Sequence, residues 1–190
     1  MAVKRDSFSK GHLVGDIRPE NVFISYDEKV KIATMHSFPH QKSAFHRFMD
    51  KLKPSHDVFL APEDLTLASQ NQLDNSINKH SETFAIGATV LSAGLLDNLS
   101  SIYDYHNRAF RMDQHTQKTV EWLDHPYYSE LFKSIVLSLL NPVPEKRMPI
   151  EDLWFFLEKY RDHILKKEMF VVNNPPVQLE NGVAIIRSKH

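Results

Sequence analysis

Asp16 and Asn21 lie five residues apart in the run Asp16-Ile17-Arg18-Pro19-Glu20-Asn21, and Val22-Phe23-Ile24 follows directly. A carboxylate in such a stretch can cap backbone amides, and a carboxamide can hold a turn. Pro19 fixes its own φ and drives Arg18 out of the α region, so the run is a loop. Val22, Phe23 and Ile24 read as a short strand that stops at Ser25-Tyr26-Asp27-Glu28, and Val30-Lys31-Ile32 resumes it. On the residues alone this is a hairpin carrying a solvated aspartate and an asparagine-stabilised turn. Other chemistries are closed to the chain. With no cysteine there is no disulfide, thiolate metal site or cysteine nucleophile. Neither a G-x-G-x-x-G run nor a Walker-type loop is present.

The stretch from Gly11 to Ile24 resembles the catalytic loop of protein kinases, H-R-D-L-K-P-E-N followed by an apolar strand. The resemblance puts Asp16 at the catalytic base and Asn21 at a metal-binding asparagine. Val14 and Gly15 stand where the family has histidine and arginine. Eighteen residues after Asp16 the family carries D-F-G, and here Thr34-Met35-His36 replaces all three. A threonine hydroxyl does not hold magnesium as a carboxylate does. A lone histidine such as His36, beside a polar loop, reads as solvated rather than as a ligand. Ala61-Pro62-Glu63 matches A-P-E. His80-Ser81-Glu82-Thr83-Phe84-Ala85-Ile86-Gly87 resembles the start of the central large-lobe helix, with Glu82 at the aspartate that clamps the catalytic-loop backbone. Asn141-Pro142-Val143-Pro144-Glu145-Lys146-Arg147 is similar to N-P-x-P-x-x-R, which implies an ion pair between Arg147 and Glu63.

These residues need elements to carry them. Ser81 reads as the N-cap of a helix whose continuation, Ala88 to Leu96, is apolar on every face and therefore buried. Phe45, Phe48, Met49 and Leu52 predict a short amphipathic helix over 41–52, and residues 64–79 read as a long loop. A helix is expected over about 100–121 and another over 129–140, the latter ending before Pro142. Pro149 opens a last helix whose stripe is Leu153, Phe156, Leu157, Tyr160 and Ile164, widened by Trp154 and Phe155. In the tail, Asn181-Gly182 between two apolar runs predicts a hairpin with a type I′ turn.

The expected fold is mainly α (α+β): a kinase-like large lobe over 11–167 with two short β-hairpins. A polar segment, 1–10, precedes it and a tail, 168–190, follows. The small lobe is absent: the glycine-rich loop, the phosphate-gripping lysine and its glutamate partner have no counterpart. The resemblance then implies a pseudokinase, catalytically inactive and serving as a scaffold or structural subunit. Asp16 and Asn21 are vestigial, and no cofactor or metal is expected. The alternative is a split kinase whose small lobe comes from a partner, with Asp16 as base. A helical interaction domain unrelated to kinases is the third reading. With 23 basic and 24 acidic side chains and no basic stripe, the chain does not point to nucleic acid. No apolar run reaches the ~18 residues of a membrane span. A soluble, cytoplasmic protein is expected, in a cytoskeletal or other large assembly. Its obligate protein partner would contact the tail, 168–190, the catalytic-loop face, where Leu13, Val14, Val22, Ile32 and Met35 would lack cover, or both.

Overall fold

A computed structural model of the chain describes residues 14–27, 29–33, 59–70, 79–160, 177–180 and 183–186. Leu13, Thr34-Met35-His36, the expected helix over 41–52, Ile164 and the Asn181-Gly182 turn lie outside the described residues. The described part is mainly helical, with small two-stranded antiparallel sheets.

The chain enters through a buried loop, Val14 to Ile17, and a 3-10 turn, Pro19–Asn21. Strands β1 (Val22–Ile24) and β2 (Val30–Ile32) follow, pairing Val22 with Ile32 and Ile24 with Val30. Helix α1 is Pro62–Ser69, and α2 is Lys79–Leu95. Strands β3 (Tyr103–Asp104) and β4 (Ala109–Phe110) lead into α3, Met112–Leu123. Helices α4 (Glu130–Leu139) and α5 (Ile150–Lys159) complete the helical part. In the tail, β5 (Val177–Glu180) pairs with β6 (Val183–Ile186), Glu180 opposite Val183.

Helix α2 is the post of the fold, and its all-round apolar sequence is the reason. Phe84, Ala88 and Leu91 are buried among Val14, Ile17, Leu65, Leu99, Ile102, Trp122, Val136 and Leu140. Gly87 lets α4 approach: a Cβ there would stand 2.9 Å from Leu139 Cβ. Gly94 does the same for Trp122, whose ring an added Cβ would overlap. Leu96 ends the helix in the left-handed region, with φ 53°. A second, smaller core joins α4 to α5 through Ile135, Leu139 and Leu153, with Met148, Phe156 and Leu157 against them.

Several expectations are corrected. Residues 64–69, expected in a loop, belong to helix α1. Helix α2 begins at Lys79, so Ser81 is inside its first turn and is not the N-cap. The helix expected over 100–121 is a 3-10 turn, a hairpin and then α3. The hairpin wins because Asp104 Oδ1 accepts from the amides of His106 at 3.1 Å and Asn107 at 3.0 Å. That local bond competes with helix formation. Phe155 is exposed rather than part of the α5 stripe. Val14 is buried in the main core, so it is not an uncovered apolar group. The exposed apolar residues of this region are Phe23, Ile24, Tyr26 and Val30, all on the β1–β2 hairpin. Among the described residues no helix is long and apolar enough to cross a membrane.

Candidate functional site

The loop around Asp16 is hung from α2. Gly15 has φ 81°, a conformation that favours glycine, and this turns two successive amides the same way. The amides of Val14 and Gly15 both donate to Glu82 Oε1, the latter at 2.8 Å. Glu82 is buried in the first turn of α2, where the helix dipole favours its charge. Its extra methylene, compared with an aspartate, still reaches both amides.

Asp16 follows at once, and its side chain is 1% exposed. Asn21 Nδ2 donates to Asp16 Oδ2 at 3.0 Å and to the Asp16 carbonyl at 2.9 Å. Arg18 Nε lies 3.3 Å from the same Oδ2. The sequence arranges this locally. Arg18 is extended, as a residue before proline must be, and Pro19 opens the 3-10 turn that brings Asn21 back over Asp16. The amide of Asn21 closes the turn onto the Arg18 carbonyl at 3.0 Å. Its own carbonyl accepts from Ala33 at 2.9 Å, which ties the loop to the end of β2.

Asp16 Oδ2 accepts from Asn21 and lies beside Arg18 beneath the surface, and these contacts pin the loop. Among the described residues, no group of three or more His, Asp or Glu side chains could hold a metal ion.

Glu63 and Arg147 form the second constellation. Arg147 Nη1 and Nη2 donate to the two Glu63 oxygens at 2.5 and 2.6 Å. The guanidinium is fully buried and lies 5.1 Å from the Phe84 ring centroid. It also donates to the carbonyls of Asn141 at 2.6 Å, His80 at 3.0 Å and Pro142 at 3.3 Å. One side chain therefore ties the start of α1, the start of α2 and the loop before α5. Ala61, buried, and Pro62, at the first position of α1, set the direction of Glu63. The structure brings Ala61, Pro62, Glu63 and Arg147 together here, and brings Glu82 to the Asp16 loop.

Sequence reasoning missed two members. Asp64 is buried beside Glu63 and accepts from Ser81 Oγ at 2.8 Å. Arg18 is the cation on Asp16. Nothing in the spacing of Asp64 and Ser81 marked them, because their contact depends on how α1 packs on α2. Opposite charges two residues apart, at Asp16 and Arg18, were a readable signal. No family model matches the chain, and no curated protein matches it.

Proposed function

We propose that the chain is the large lobe of a protein-kinase-like fold that has lost phosphoryl transfer and works as a binding or scaffold module in a protein assembly. The carrying observation is the state of Asp16. Its carboxylate is buried and held by Asn21 and Arg18, inside a loop suspended from Glu82. On this reading the vestigial pair has become an internal brace. The sequence supports the same conclusion independently, because Thr34 replaces the residue that would bind magnesium. Phosphoryl transfer needs that metal against developing charge. Recognition of a partner rests on the β1–β2 hairpin, where Phe23, Ile24, Tyr26 and Val30 are exposed. Apolar clusters of that kind mark interaction surfaces.

The test is a thermal-shift titration with ATP and Mg²⁺. A site with a Kd of about 10 μM, at a hundredfold excess, would stabilise the fold by about 2.7 kcal/mol. For a chain of this size that is a rise of at least about 5 °C. The expected result is no metal-dependent rise. A clear one would overturn this reading, because the chain would then keep a nucleotide site of its own.

A further inference from the structure

Among the described residues, the junction at Arg147 brings two carboxylates, Glu63 and Asp64, to one guanidinium. Glu63 takes both terminal nitrogens of the guanidinium. Asp64, the next residue, is buried and receives Ser81 Oγ at 2.8 Å, while the same hydroxyl is 3.5 Å from Glu63 Oε1. One hydroxyl has one proton and donates to one carboxylate at a time. Asp64 is thus a buried carboxylate beside a guanidinium already taken by the half-buried Glu63, and burial penalises its unmatched charge.

Among the described residues, the other elements packed here supply no second cation. From α2, His80 gives Arg147 its backbone carbonyl while its ring is exposed, and Lys79 is engaged by Glu151 at 2.8 Å. From β3, the Tyr103 hydroxyl donates to the Leu60 carbonyl at 3.0 Å, with Tyr105 beside it. From α3, His115 is buried against Phe84 and Phe110, and feels the Arg147 charge.

We propose that this junction is a proton-binding site, in which Asp64 takes up a proton in mildly acidic solution and the contact between α1, α2 and the loop before α5 tightens. The inference does not depend on the kinase resemblance. Burial pushes the Asp64 carboxyl up to about 6, opposed by the Ser81 bond and reinforced by Glu63. The unfolded chain releases this proton near 3.8. Between those values the folded chain binds the proton and the unfolded chain does not, so stability falls as pH rises, and the whole penalty is present above the folded value. His115 acts in the opposite sense. Burial holds it below its ordinary 6.5, so the unfolded chain is protonated first and stability rises with pH toward that value. The two trends overlap, and the pH slope of the wild type alone does not separate them.

The experiment is a carboxyl-carbon NMR titration of the full chain labelled at aspartate, for wild type, Asp64→Asn and Ser81→Ala. One aspartate midpoint is expected near 6, absent in Asp64→Asn and higher in Ser81→Ala, which loses the donor that favours the ionised form. Urea unfolding gives a second readout. The advantage of Asp64→Asn over wild type in the unfolding constant should grow about tenfold from pH 5 to pH 7, from the 3.8 and 6 above. Titration of every aspartate below pH 5, or an equal advantage at both pH values, overturns the proposal.

Discussion

Replacing Arg147 with methionine keeps much of its length and removes its charge and its donors. In the native fold the side chain makes a two-pronged bond to Glu63 and serves the carbonyls of His80, Asn141 and Pro142. Breaking one partner of a buried pair costs about 3–5 kcal/mol, because the other charge stays behind. Glu63 is 22% exposed, so water relieves part of that cost and the lower end of the range applies. The stranded carbonyls add about 1 kcal/mol more. A total of about 4 kcal/mol corresponds to a fall in Tm of about 10 °C for a chain of this size. Thermal and urea unfolding read this directly. The double variant with Glu63→Gln supplies the control: if the pair carries the effect, the two losses add to less than their sum. An Arg147→Met protein that melts within about 2 °C of wild type would refute the reasoning, since no buried pair could then be at stake.

Two further substitutions probe the post helix. Glu82→Ala leaves the buried amides of Val14 and Gly15 without their acceptor, for a loss of roughly 2–4 kcal/mol, while Glu82→Gln keeps the acceptor and loses about 1 kcal/mol. Hydrogen exchange at those two amides should speed up in the same order, and equal exchange in all three proteins would mean the loop is held by something else. Gly94→Ala drives a methyl into the Trp122 ring, and overpacking of this kind costs about 1–3 kcal/mol. Alanine otherwise favours a helix over glycine by about 1 kcal/mol, so a stabilised Gly94→Ala protein would show that the ring moves aside freely.

What could be read in the sequence was what local chemistry decides. Pro19, with a three-residue apolar run after Asn21, is enough to announce a loop and a hairpin, and β1 and β2 lie there. The unbroken apolar stretch of α2 announces a buried helix, and Pro142 announces the end of α4. The Glu63–Arg147 contact spans 84 residues and was reached only through resemblance to a family pattern. Helix α1 escaped notice because Pro-Glu-Asp-Leu-Thr-Leu-Ala-Ser has little apolar periodicity. Its place is set by buried Leu65 and by the polar contacts of Glu63 and Asp64. The β3–β4 hairpin escaped because one aspartate, Asp104, overrode the helical pattern around it. Val14 looked exposed because its cover comes from α2, far along the chain.

The central claim is that Asp16 has become a structural brace and is no longer a reacting group. Substituting alanine for Asp16 separates the two roles. As a brace, Asp16 gives the Asn21 amide a buried anionic acceptor and Arg18 a counter-charge, and a hydrogen bond to a charged group is worth about 1.5–3 kcal/mol. The account predicts that Asp16→Ala unfolds in urea with a stability about 2–4 kcal/mol below wild type. Functional sites often trade stability for activity, so a carboxylate without a bracing role would leave stability unchanged or raise it when removed. An Asp16→Ala protein as stable as wild type would contradict the account.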